Sequence, residues 1–198
     1  MSNIKERLDK ILPKIKQKDF LENKGLGNEI GFYLFDYDPE DELIVRDHKN
    51  FLIRKINNDP EKPDIIEFDL FKIMIEILED KGYLEKTFKM EEKMGSQKMI
   101  KKLKTTLSLK GDARLFTNYI SKRVKENQII FITGVGKAWP IVRSHKVLNN
   151  LHPVIENNPL IMFFPGNYDG ASLSLFDEIH DDNYYRAFAL VPRKESVL

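Results

Sequence analysis

Gln128–Leu151 reads QIIFITGVGKAWPIVRSHKVLNNL, and its parsing decides the fold. The run Ile129-Ile130-Phe131-Ile132 suits a strand buried on both faces, as in a parallel sheet. Thr133-Gly134-Val135-Gly136 then predicts a tight glycine turn, and Pro140 stands where the first turn of a helix tolerates proline. Ile141, Leu148 and Leu151 fall near one face of that predicted helix, with Val147 beside it. Arg143, Ser144, His145 and Asn149 are left on the other faces, close to the loop. A polar loop and helix start at the end of a buried strand is a usual place for a site in an α/β protein.

The alternation recurs outward from this stretch. Pro159–Phe164 (PLIMFF) predicts an equally apolar strand, closed by the turn residues Pro165-Gly166-Asn167-Tyr168-Asp169-Gly170. Leu173, Leu175 and Phe176 begin a short helix or strand, and Ala187–Val191 predicts a last strand. Toward the N-terminus, Ile30–Tyr37 (IGFYLFDY) and Asp64–Leu70 (DIIEFDL) are two more. That makes about five.

Helices are expected between them. Ile4, Leu8, Ile11, Leu12 and Ile15 recur at helical spacing, with a kink expected at Pro13. Pro39-Glu40-Asp41-Glu42 starts a second helix with acids in its first turn, favourable to the helix dipole. A third, strongly apolar one runs over Leu70–Leu78 and closes at Lys81-Gly82. Residues 83–125 read as two or three helical pieces, punctuated at Gly95-Ser96-Gln97 and Lys110-Gly111-Asp112, with Ser96 and Asp112 as expected N-caps. The predicted class is α/β: a three-layer arrangement with a mostly parallel sheet of about five strands flanked by helices. Its core is expected to be Rossmann-like or P-loop-ATPase-like, without the phosphate loop.

Length and composition bound the function. At 198 residues the chain is long enough for one domain with a real core and short for two. No apolar run approaches the roughly 20 residues needed to cross a bilayer, and no signal-peptide core follows Met1. Cysteine is absent, which fits a reducing compartment and excludes disulfides, thiolate metal sites and cysteine nucleophiles. A cytoplasmic protein is expected. The net charge of +1 conceals a division: Asp36–Asp80 holds 14 acidic against 6 basic residues, and Lys81–Lys125 holds 13 basic against 4 acidic. A basic segment of this kind is either a solvated helical surface or a dock for nucleic acid or an acidic partner.

The search for chemistry is mostly negative. Gly25-Leu26-Gly27-Asn28-Glu29 lacks the Gly-Lys-Ser/Thr ending of a phosphate loop and precedes a strand instead of following one. The histidines, His48, His145, His152 and His180, form no HxxxH or HExxH pair, and His180-Asp181-Asp182 would need further oxygen ligands from elsewhere to hold a cation. Ser144 beside His145 has no nucleophile elbow. If the sheet is parallel, the loops after its strands bring Asp36, Asp38, Asp69, Gly134, Gly136, Arg143, His145, Asn167 and Asp169 to one edge.

Blocks spread over most of the chain resemble the BrxB family. They are Gly25-Leu26-Gly27-Asn28-Glu29 with Phe35-Asp36-Tyr37, and Phe131–Gly136 with Pro140–Leu151. Two later ones are Met162-Phe163-Phe164-Pro165-Gly166-Asn167-Tyr168-Asp169-Gly170 and Asp181-Asp182-Asn183-Tyr184-Tyr185-Arg186-Ala187-Phe188. Residues 83–125 carry little of the resemblance. It implies a small cytoplasmic component of BREX bacteriophage-defence systems, expected to bind a PglZ-type protein. A BrxC-type AAA+ ATPase and a DNA methyltransferase would act in the same complex.

The leading expectation is a single BrxB-like domain over residues 1–198 that serves as a non-catalytic adaptor, with no cofactor and no metal. Its recognition surface is expected at Gly134, Gly136, Trp139, Arg143, His145, Asn149, Asp169 and Arg186. Lys98, Lys101, Lys102 and Lys104 are expected to contact an acidic partner or nucleic acid. The alternatives are a nucleotide- or phosphate-directed enzyme or sensor using the loop 133–145, and a subunit that binds DNA directly through the basic helical segment.

Overall fold

The computed structural model describes residues 4–22, 31–108, 114–155, 157–181 and 187–193. Its strands are β1 (Phe32–Tyr37), β2 (Ile65–Asp69), β3 (Ile129–Thr133), β4 (Leu160–Tyr168), β5 (Leu173–Leu175), β6 (Ile179–Asp181) and β7 (Phe188–Ala189). Five of them lie in the order β2-β3-β4-β1-β7, and β5 and β6 extend from β4 as an antiparallel ribbon. β1 pairs parallel with β4 and β7, and β3 pairs parallel with β4. Phe35 lies opposite Phe163, and Phe131 opposite Ile161. The chain thus has an α/β fold with a mostly parallel five-stranded sheet flanked by helices.

The strand sequences explain this arrangement. Leu34, Ile130, Ile132, Leu160 and Met162 are as fully buried as Phe35, Phe131 and Ile161, which point to the opposite face. Both faces of the central strands are therefore covered. Only near-continuous apolar runs tolerate that placement.

Two compact units are present. The first comprises Met1–Glu67, Val124–Thr133 and Glu156–Leu198, and holds most of the sheet. On one sheet face its core joins Tyr33, Phe35, Phe131 and Phe163 to the helices α1 (Ile4–Asp9), α2 (Ile11–Ile15), α3 (Lys18–Leu21) and α4 (Glu42–Asn57). Leu8, Ile11, Ile15 and Phe20 come from the first three, and Val45, Leu52 and Ile56 from the fourth.

The second unit comprises Phe68–Arg123 and Gly134–Ile155. It consists mainly of helices: α5 (Leu70–Asp80), α6 (Leu84–Met94), α7 (Ser96–Ser108), α8 (Arg114–Ser121), α9 (Val135–Ala138) and α10 (Ser144–Leu151). Within it α5 packs on α6, α8 and α9, α6 on α7, and α8 on α10.

Several local expectations are corrected. The N-terminal helix is three short ones, broken at Lys10, which leaves Pro13 in the first turn of a new helix where its missing N–H is tolerated, and again at Lys16-Gln17. β4 does not stop at Phe164. It changes partner at Pro165 and Gly166, from β1 on one side to β5 on the other, and continues to Tyr168. The glycine turn after β3 is instead the helical turn α9, entered through Gly134 at φ +71°. Pro140 starts no helix: Trp139 before it is extended, as a residue preceding proline prefers, and α10 begins only at Ser144. Ser96 opens α7 but turns its hydroxyl to Glu91 Oε1 at 2.7 Å. Leu173–Leu175 resolves as a strand. Gly25–Glu29, Ile30 and Lys110–Asp112 lie outside the described residues.

Candidate functional site

Open α/β sheets bind ligands beyond the strand C-termini, where successive connections diverge. Here that point lies between β1, whose chain continues toward the β2 edge, and β4, whose chain continues toward β7. Asp36, 4% exposed in its side chain, sits there at the end of β1. Its Oδ1 accepts from Arg7 Nη2 at 2.9 Å, and its Oδ2 accepts from Arg193 Nε at 2.6 Å and from the Tyr168 N–H at 3.4 Å.

Arg193 spans the crevice. Its Nη1 also donates to Asp38 Oδ1, and its Nη2 donates to the Gly166 carbonyl of β4 at 2.6 Å. Burial works against the charge on Arg193, but Asp36 and Asp38 outweigh it and raise its pKa. For Arg7 burial dominates and lowers the pKa, against the opposing pull of Asp36. Arg7 is held further by two bonds to the Val191 carbonyl and one to the Asp36 carbonyl, with its guanidinium 4.7 Å from the Phe35 ring centroid.

The C-terminal ends of β1 and β4 are thus bridged by the protein's own guanidinium. The turn that follows β1 carries Asp38, Glu40, Asp41 and Glu42. Four carboxylates there repel a phosphate. A cleft of about 550 Å³ in the same unit opens at the other end of the strands, before β2, β3 and β4, between Pro60, Pro63, Gln128 and Pro159.

In the second unit, Asp69 caps α5. Its Oδ1 accepts from the N–H groups of Phe71 and Lys72 at 3.0 and 3.3 Å, and its Oδ2 pairs with Lys137 of α9. Gly134 lies against that carboxylate, so a Cβ at Gly134 would overlap it. Asp69 is therefore engaged on both oxygens.

Trp139 is 41% exposed in the turn after α9, and Arg143 and Asn149 are exposed nearby in the chain. Gly136 is half-buried inside α9. His145, expected on the surface, is buried at 6%, so it cannot meet a partner directly. The signal was readable: His145 precedes Leu148 by three residues and shares its buried face.

Asp169, in the first unit, is exposed and bonded locally: Oδ1 accepts from the N–H groups of Ala171 and Ser172 at 2.8 and 2.7 Å, which lowers its pKa. Asp181 has no described side chain, and Asp182 and Arg186 lie outside the described residues. Lys98, Lys101 and Lys102 are exposed on α7, and Lys104 is half-buried. Among the described residues no three potential metal-ligating side chains converge, and no helix is long and apolar enough to cross a membrane.

Sequence reasoning missed Arg7 and Arg193. Arg7 carried a signal, since it lies three residues after Ile4 and four before Ile11, a charge on an apolar face. Arg193 carried none.

The family model described as BREX protein BrxB matches residues 66–190. The chain belongs to the BrxB family of BREX phage-defence systems. A BREX protein BrxB of Bacillus cereus (strain H3081.97) is 54% identical over 193 residues, 98% of this chain and 100% of that protein. Another, of Escherichia coli O9:H4 (strain HS), is 38% identical over 188 residues, 94% of this chain and 90% of that one. No solved structure matches. The region matched by the BrxB model includes Asp69, Gly134, Trp139, Arg143 and the α7 lysines, whereas Arg7, Asp36 and Arg193 lie outside it.

Proposed function

We propose that this BrxB-family chain is a non-catalytic adaptor that binds a PglZ-type protein and links it to the ATPase and methyltransferase components of a BREX complex. The observation that carries the reading is the contrast between the strand-end carboxylates and Trp139. Asp36 is held by Arg7 and Arg193, and Asp69 by Lys137 and backbone N–H groups. Neither is available as a general base or for metal. Trp139, by contrast, leaves 41% of its surface in water with Arg143 four residues on. Tryptophan and arginine are the residue types that most often dominate binding energy at interfaces.

The strand order supports a finer reading of the fold, a three-layer, ATPase-like shell whose ligand position has been given over to structure. Arg193 and the acidic turn after β1 supply the physical reason such a shell would not take a nucleotide.

Binding of the purified protein to its PglZ-type and BrxC-type neighbours, measured by calorimetry, tests the proposal. Association with the PglZ-type protein is expected, weakened at least about tenfold by Trp139→Ala, the lower range for an interface anchor. If neither neighbour binds, the adaptor reading is wrong. A melting temperature raised by a nucleotide with a divalent metal would favour a sensor instead.

A further inference from the structure

From Lys93 to Gly111 the sequence contains six lysines and no aspartate or glutamate. α7 lies inside this stretch and is sharply two-sided. Leu103 and Leu107 are buried, and Met99 and Ile100 on the same side are half-buried. Lys98, Lys101, Lys102 and Thr105 are exposed on the opposite side. With Met94 and Thr106 they line a shallow depression of about 390 Å³. The preceding acid in the chain beyond Glu92 is Glu91, whose Oε1 accepts from the Ser96 hydroxyl.

We infer that this face of α7 binds the phosphate backbone of double-stranded DNA without regard to sequence. Three considerations select that partner. The lysines at 98, 101 and 102 span roughly 6 Å of helix axis, and duplex DNA carries one phosphate per strand for about every 3.4 Å of its own axis, so several phosphates lie within their reach. Each is a point charge on a flexible stem, able to meet a phosphate whose position varies.

The depression also lacks what other partners need. It offers no arginine or amide for base-edge readout and no aromatic ring for stacking an unpaired base. Its one exposed apolar anchor is Met94, 43% exposed, whereas a protein partner needs a desolvated apolar centre within its interface. A single small anion would meet only ammonium groups on flexible stems and two threonines among the lining side chains, with no arginine fork to fix it. The Thr105 hydroxyl already donates to the Lys101 carbonyl at 3.0 Å, so the lysines alone supply donors on that flank.

The expected behaviour is quantitative. Three phosphates neutralised give a slope of log K against log salt of about −2.7, or about 40-fold weaker binding on raising salt from about 50 to 200 mM. Affinity belongs in the non-specific range, with Kd roughly 10⁻⁴–10⁻⁶ M. The test uses the full chain and a fluorescent duplex of about 25 base pairs, read by anisotropy across that salt range.

Duplexes of unrelated sequence should bind alike. Lys102→Ala should flatten the slope by about 0.9, and Lys98→Glu/Lys101→Glu/Lys102→Glu should abolish binding. These side chains are exposed, so the variants should keep the wild-type circular dichroism; if the triple variant does not, the single alanine variants and their slopes decide. No anisotropy change at the lowest salt, or a slope that none of these changes alters, overturns the inference. So does displacement by poly-glutamate at lower charge concentration than unlabelled duplex, which would assign the face to an acidic protein. Loss of PglZ-type binding is read separately, so failure here leaves the adaptor reading standing.

Discussion

Arg193 and Asp36, 157 positions apart in the sequence, meet through Nε and Oδ2 at 2.6 Å. Because Arg7 holds the other oxygen of the same carboxylate, one buried acid serves two guanidinium groups. Asp38, more than half exposed, supplies the second negative charge. The network ties α1, β1, β4 and the chain after β7 within one unit. It lies where a ligand-binding α/β protein would keep open space.

Removing the shared carboxylate should therefore be the most damaging change in this network. Asp36→Ala leaves Arg7 buried and uncompensated, and is expected to lower stability by about 3–5 kcal/mol. Arg193→Ala should cost less, since Asp36 retains Arg7 and Arg193 is 30% exposed. Urea denaturation of the two variants gives the ordering, and a larger loss for Arg193→Ala would contradict it.

A second test concerns Gly134 and Asp69. Gly134→Ala places a Cβ at φ +71° and against the Asp69 carboxylate, so a loss of about 1–3 kcal/mol is expected. Asp69→Ala alone removes a helix cap worth about 1 kcal/mol. In the double variant the steric conflict is gone, and the combined loss should fall short of the sum. Strict additivity in chemical denaturation would show that the strain at Gly134 is purely backbone.

His48 should make stability pH-dependent. It is half-buried on α4 beside Phe51, and burial lowers its pKa against the opposing influence of Asp9 and the Leu8 carbonyl. The folded state then binds the proton less readily than the unfolded chain, so stability rises with pH across the window. The contribution is present above the unfolded value of about 6.5 and is lost as pH falls below it toward the lower folded pKa. Melting temperatures of the wild type and His48→Gln between about pH 7 and 5 should converge in acid, and parallel curves would assign the effect elsewhere.

The β5–β6 turn holds Phe176 and Asp177 at φ +57° and +59°. Two consecutive left-handed residues are the geometry for which Asn-Gly and Asp-Gly are preferred in hairpins. Asp177→Gly is expected to raise stability by a few tenths to about 1 kcal/mol, visible as a higher urea midpoint with unchanged slope. A lower midpoint would mean that the Asp177 side chain makes a stabilising contact there.

The chain's sequence by itself determined the five strands of the main sheet, most of the helices and the family, but it left β5 open between helix and strand and did not mark β6. Ile129–Thr133 and Leu160–Phe164 are legible because an unbroken apolar run admits few placements, and α4, α5 and α7 because their apolar residues return at helical spacing. Such signals are local, carried within a few residues of the feature they report. Only the tertiary structure decided the rest. Pro165 and Gly166 read as a turn, yet pairing with β5 carries the strand past them. Pro140 reads as a helix start, yet the buried turn Val135–Ala138 takes the chain first. Asp36 and Asp69 read as open acids at a strand edge, yet Arg7, Arg193 and Lys137 close on them. A cation's choice of carboxylate depends on distance in space, and no local pattern records which distant residue will arrive. The guanidinium that joins the ends of β1 and β4 came from Arg193, which the sequence left unmarked.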